Sequence, residues 1–229
     1  KQWFHLRYTN KANEIIIGQS KNHDTSMKVL MPSTYLGPIS YYRILAAHDS
    51  VLRESMENYV KQTYRNRCSI LGANGILDLG IPVKHTGNRD VMKDVKISNY
   101  ERWQRLHWRS IETAYRSSPY FEYYEDDLKP FYDKEYQFLM DFNTNLEMAV
   151  LELLDIKVTF KSTESYAENL ADGLDYRSSL SPKIDADESH IPYTQVFSTP
   201  ETFVPDLSII DLLFNLGPES VSYLRSDSK

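Results

Sequence analysis

Cysteine is nearly missing from this sequence: Cys68 is its one thiol, so no disulfide can form within the chain. Glycine is scarce too, at eight in 229 residues. Their scatter leaves neither a Gly-x-Gly-x-x-Gly fingerprint nor a phosphate loop ending in Gly-Lys-Ser/Thr. There is no Gly-x-Ser-x-Gly elbow and no kinase signature. His5, His23, His48, His85, His107 and His190 never pair at helical spacing, so nothing has the spacing of a zinc site, and no metal or cofactor is assigned. No apolar run approaches the roughly 20 residues of a spanning helix, and an excess of positive charge is also lacking. With 26 Lys+Arg against 32 Asp+Glu the formal charge is −6, which does not fit a general electrostatic grip on nucleic acid and leaves open a local basic patch; the expected partner is a small molecule. A lone cysteine and no basic segment leading into an apolar stretch point to the cytoplasm.

What is abundant is tyrosine, 17 residues in all. Its apolar body and hydroxyl handle suit core edges and polar, sugar-holding clefts alike, and composition leaves both readings open. The segment 1–26 is polar apart from Ile15 to Ile17 and has no period. We expect it to be an appendage, a tag remnant or a misplaced start, with the domain running from Met27 to Leu224 and a tail at 225–229.

Met27 to Met31 reads as a strand closed by Pro32, and Ile39, Tyr42, Ile44, Leu45 and Ala46 recur at helix spacing. The Pro32 to Pro38 connection between them would present free backbone N–H groups to an anion, as any strand–loop–helix connection does. Val51-Leu52 and Arg65 to Leu71 read as strands. The second leads through the turn Gly72-Ala73-Asn74-Gly75 into Ile76 to Val83, a hairpin near mid-chain. Lys93 to Ser98 reads as another short strand.

Ser98-Asn99-Tyr100-Glu101 has capping-box form and predicts a helix start there, with Trp103, Leu106, Ser110, Ile111, Ala114 and His107 on the apolar side. Arg102, Arg105, Arg109 and Arg116 fall opposite, the pattern of a solvated face, and Ser117-Ser118-Pro119 ends the helix. Leu139, Phe142, Leu146, Val150 and Leu153 predict a helix from about Asp133 to Asp155, followed by a strand over Ile156 to Phe160. The polar stretch from Ser162 to Tyr193 reads as a loop or lid. Leu207, Ile210, Leu213 and Phe214 form the apolar stripe of a last helix stopped by Gly217-Pro218. The order of elements predicts one α/β domain with a mixed, partly parallel sheet flanked by helices and a central β-hairpin, its ligand cleft at the C-terminal ends of the strands.

Candidate site residues come from three places. Lys61, Tyr64, Arg65, Asn66 and Arg67 place cations, an aromatic ring and an amide together ahead of a strand, a combination suited to phosphate or carboxylate and equally to a solvated strand edge. Ser33, Thr34 and Tyr35 offer hydroxyls at a helix start. His107 is either a general base tuned by burial or a satisfied core histidine. Asp211 and Asn215 either line a site or occupy ordinary helix positions, and Cys68, set among apolar strand residues, reads as an inert thiol.

Four ordered stretches, Pro32 to Tyr42, Glu57 to Cys68, Trp103 to Phe121 and Leu207 to Ser220, together resemble the WbqC-like protein family from Met27 to about Leu224. The resemblance implies a role in O-antigen or other surface-polysaccharide synthesis and a transferase that forms an amide, glycyl or other, on an amino sugar carried on a nucleotide. In that reading Lys61, Arg65 and Arg67 would neutralise phosphate, Ser33, Thr34 and Tyr35 hold a second polar group, Tyr64 stack on a ring, and His107 deprotonate the amine. A non-catalytic ligand-binding or assembly protein is the rival reading, and a nucleotidyltransferase, which needs a nucleotide at Ser33 to Ser40, the third. Many family members carry His-Gln-Pro-x-Tyr-Leu-Pro in the first loop. Here the aligned stretch is Met31-Pro32-Ser33-Thr34-Tyr35-Leu36-Gly37, without the histidine.

Overall fold

In a computed structural model, which describes residues 28–84, 90–168, 170, 173–183, 190–199 and 202–226, the centre of the molecule is a four-stranded parallel sheet. The proposed appendage 1–26, His85 and most of the proposed tail lie outside the described residues. The strands are β1 (Lys28–Met31), β2 (Ser50–Arg53), β5 (Thr159–Ser162) and β6 (Gly173–Asp175), in the spatial order β5-β2-β1-β6. β1 lies between two partners, and Val29, Leu30 and Met31 are fully buried. An unbroken apolar run of this kind is what a central parallel strand requires. α1 (Ile39–Ala46) connects β1 to β2. The chain then leaves the sheet for about a hundred residues, returns as β5 beside β2, and adds β6 on the far side of β1.

That excursion contains the predicted hairpin, β3 (Arg67–Gly72) with β4 (Gly75–Gly80), as a separate antiparallel ribbon. Its register places Ala73 and Asn74 between paired Gly72 and Gly75, and Gly75 takes the positive φ of 103° that a residue with a Cβ adopts at a cost. Three helices follow: α2 (Trp103–Tyr115), α3 (Phe121–Leu128) and α4 (Leu139–Leu153). α5 (Ile209–Leu216) and α6 (Ser220–Arg225) close the fold against α1.

Five local expectations need correction. The capping box at Ser98 does not form: Asn99–Glu101 is a 3-10 turn, Arg102 turns left-handed at φ 48°, and α2 begins at Trp103. Leu106 faces solvent, and Trp108 is buried in its stead. Lys93 to Ser98 is no strand: Met92–Asp94 is a 3-10 turn, and Lys96 and Ile97 make isolated bridges to Phe138 and Val83. The bridge at Phe138 holds the chain extended, so α4 starts at Leu139. The polar stretch after Ser162, read as a loop, contains β6.

Candidate functional site

In open parallel sheets, ligands bind at the C-terminal strand ends where successive connections turn to opposite sides. Here that point lies between β1 and β6. The connections from β1 lead toward β2 and β5, and the last strand returns to β1's other edge. At this end of the sheet the chain buries an unusual number of charges: Arg53, Glu54, Glu57, Arg65 and Glu147 are each 6% exposed or less, where charged residues are rarely found unless paired.

Each is held by partners from several elements. Arg53, ending β2, pairs with Glu147 of α4, which also accepts a hydrogen bond from Tyr41 of α1 at 2.6 Å. Arg65 makes two parallel hydrogen bonds to Glu57, at 2.7 and 2.5 Å, the geometry a guanidinium gives a carboxylate. Glu54 accepts from Thr163 Oγ1 at 2.7 Å, Met56 N at 2.9 Å, Arg177 at 3.1 Å and Ala167 N at 3.2 Å. Arg177 is in turn forked onto Asp175, the end of β6, and lies over the ring of Tyr166. The carboxyl of Asp175 is held below its ordinary range by these hydrogen bonds from Arg177. Three arginines thus meet four carboxylates, a nearly neutral buried cluster.

Three buried polar atoms in it, Thr34 Oγ1, Arg53 Nε and Asn143 Oδ1, have no hydrogen-bond partner. Asn143 lies one turn before Glu147 on α4, and its Nδ2 donates to the Arg65 carbonyl at 2.8 Å and to Ser33 Oγ at 3.3 Å. The cluster therefore offers one cationic donor, one amide acceptor and the hydroxyls of Ser33 and Thr34. Beside it, Leu36 and Gln62 hold left-handed backbone at φ 42° and 57°. For a buried leucine this conformation is rare and costs of order 1–3 kcal/mol.

The residues singled out from sequence disperse over this frame. Ser33, Thr34 and Arg65 belong to the switch-point cluster. Tyr64 sits at its margin, where its carbonyl accepts from Tyr35 N at 2.8 Å, and burial pushes its phenol up. Lys61 is exposed; Asn66 donates to the Ile81 carbonyl; Arg67 pairs with Asp78 on the exposed hairpin at 3.2 Å. Lys61, Arg65 and Arg67 consequently do not converge on one point.

His107 lies in an aromatic layer with Tyr35, Trp103, Tyr132 and Phe142. Its Nδ1 is 2.9 Å from the Tyr35 hydroxyl, which is 3.0 Å from that of Tyr132. A neutral ring can accept from the Tyr35 hydroxyl at this nitrogen, which a protonated ring cannot. Burial lowers its pKa to about 4, so near neutral pH it is uncharged. Buried Cys68 has its thiol pushed up by burial and is a protonated core residue.

Asp211 and Asn215 form a third group. Asp211, fully buried, accepts from Tyr193 at 2.5 Å, Tyr115 at 2.9 Å and Gln195 at 3.0 Å. Desolvation still raises its carboxyl, against those hydrogen bonds. Asn215 bonds the Asp211 carbonyl.

The amides opening α1 are not free for an anion. Ile39 N donates to the Leu207 carbonyl at 3.0 Å, and Ser40 N and Oγ donate to Asp206 at 2.7 and 2.9 Å. A carboxylate thus fills the place a phosphate would take, which removes support for the anion loop and for a nucleotide at Ser33 to Ser40.

The residues that sequence reading missed are Arg53, Glu54, Glu57, Asn143, Glu147 and Arg177. One signal was available: Asn143 and Glu147 follow Phe142 and Leu146 directly and so border the apolar stripe of α4. Among the described residues no group of acids, histidines or cysteine could hold a metal ion, and no helix is long and apolar enough to cross a membrane.

The model of the WbqC-like protein family matches residues 33–189 and 183–223. A protein of Mycobacterium tuberculosis, "Uncharacterized protein Rv1507c", is 26% identical over 228 aligned positions covering 86% of this chain and 96% of the relative. No solved structure matches the chain.

Proposed function

The chain belongs to the WbqC-like protein family, and from that premise we propose that it is a transferase joining an acyl group, glycyl or other, to an amino sugar in O-antigen or related surface-polysaccharide synthesis. The observation that carries this reading is the switch-point cluster: buried, mutually neutralised charges beside an unpartnered cationic donor and an unpartnered amide acceptor. Amide formation needs an oxygen that gathers negative charge to be stabilised and a neutral amine to be held in line. Arg53 Nε is suited to the first and Asn143 Oδ1 to the second, with Ser33 available to a sugar hydroxyl. In this proposal a nucleotide carrier stays outside, because the arginine forks within are occupied. His107 supports Tyr35 rather than taking the proton.

One observation favours the rival, a non-catalytic binding protein of the same pathway: each buried carboxylate of the cluster is already held by donors. The test is a thermal-shift screen of the full chain with nucleotide sugars, nucleotides, glycine and phosphate, repeated with Ser33→Ala and Asn143→Asp, followed by an assay for amide product. A ligand at a hundred times its Kd adds about 2.7 kcal/mol of stability. A sugar-nucleotide shift weakened in both variants, with turnover, supports the transferase; a shift without turnover supports the rival. Shifts unchanged in the variants would move the site elsewhere.

A further inference from the structure

The cluster makes no use of the outer face of α2. Arg105, Leu106 and Arg109, spaced so as to share one side of the helix, are all exposed, as is Arg102 at its start. Leu106 is 59% exposed and Tyr100, just before the helix, 94%. Among the described residues Arg102, Arg105 and Arg109 take part in no ion pair or side-chain hydrogen bond. The contrast on the same helix is Arg116, which is bonded to Glu112 and Glu125. Between Ser98 and Ile111 the only acid is Glu101, so this surface is cationic on a protein whose overall charge is −6.

Self-contained solvation explains scattered charges, but two further facts point outward. Three guanidiniums are concentrated within about 10 Å of helix, from Arg102 to Arg109 at roughly 1.5 Å per residue. An aliphatic and an aromatic side chain stand among and beside them. Cations flanking exposed Leu and Tyr are the composition of a surface that rests at a bilayer interface, where the guanidiniums meet lipid phosphates and the apolar groups enter the headgroup boundary. Extended nucleic acid fits less well, because the acidic remainder of the molecule repels a long polyanion.

We propose that the outer face of α2, made by Tyr100, Arg102, Arg105, Leu106 and Arg109, docks the protein on an anionic phospholipid surface. α2 then has two duties: its inner face carries His107 against Tyr35 in the β1–α1 loop, with Trp103 packed on the His107 ring, while its outer face meets the bilayer.

The test is flotation of the full chain with vesicles of phosphatidylcholine containing one-third phosphatidylglycerol, beside vesicles of phosphatidylcholine alone. Binding is expected only to the anionic vesicles and to fall in high salt. The triple variant Arg102→Asn, Arg105→Ser, Arg109→Ser, with asparagine chosen to keep the left-handed turn, should bind on the order of a hundredfold more weakly, at about fivefold for each cation near the surface. Leu106→Ser should weaken binding while leaving its salt dependence, and Lys157→Ser, at a distance, should change nothing. A thermal melt confirms that each variant is folded. Equal binding to both vesicle types, no binding to anionic vesicles at low salt, an unaffected triple variant, or capture of single-stranded RNA in preference to vesicles would each overturn the proposal.

Discussion

A buried histidine with a depressed pKa turns pH into a probe of the core. His107 has its pKa lowered by burial from 6.5 to about 4, so the unfolded chain takes up its proton first as pH falls. The stability from keeping the ring neutral is complete above about 6.5 and is lost progressively toward pH 4, in total on the order of 3 kcal/mol. Urea unfolding at a series of pH values should show this decline, and His107→Gln should flatten it in that window whatever it does to stability at neutral pH. The Arg53–Glu147 pair makes a second residue-scale case. Breaking a buried pair from one side strands a charge and costs about 3–5 kcal/mol. Glu147→Gln, which leaves Arg53 unneutralised, should therefore lower the denaturation midpoint far more than Arg67→Ala, which opens only the exposed pair with Asp78.

At the scale of elements, α1 has no side-chain cap of its own: Pro38 stands at its N-cap, and Asp206, 166 positions away in the chain, supplies the carboxylate to Ser40. Asp206→Ala should cost about 1–2 kcal/mol, as loss of an N-cap does, and should raise amide exchange in α1 and near Leu207 together. Gly217 is the other sharp constraint, since at φ 53° an added Cβ would lie 2.5 Å from the Tyr120 ring. Gly217→Ala should destabilise by more than the ~1 kcal/mol typical of a positive-φ glycine, as measured by chemical denaturation. The elements legible in the sequence were those with a long period or a strong turn: α4 through Leu139 to Leu153, the hairpin about Gly72 to Gly75, and α5 stopped at Gly217. β6 was not legible, because three residues, Gly173-Leu174-Asp175, carry no alternation, and their strand character comes from β1 alongside. The capping box at Ser98 misled for a related reason: tertiary hydrogen bonds from Ile97 and Ser98 to Gln137 and Pro82 fix the chain there in another path.

For the molecule as a whole, the candidate site was legible in part. Ser33, Thr34 and Arg65 were found from local clustering, but Arg53 with Glu147 and Glu54 with Arg177 are joined across 94 and 123 positions, and no local pattern announces a pair that only the fold brings together. The parallel sheet also sets the order in which the protein can assemble. β1 pairs with β6 through Lys28 and Gly173, 145 positions apart, while its other neighbour, β2, arrives within the first 53. On the ribosome, the central strand therefore emerges with one edge bare and stays so until Gly173 to Asp175 have been made. Pairings of such long sequence separation form slowly, and an uncovered apolar strand is where one nascent chain meets another. Completion of the switch point is thus a late event in assembly, and expression at low temperature with chaperone support should raise soluble yield by protecting that one open edge.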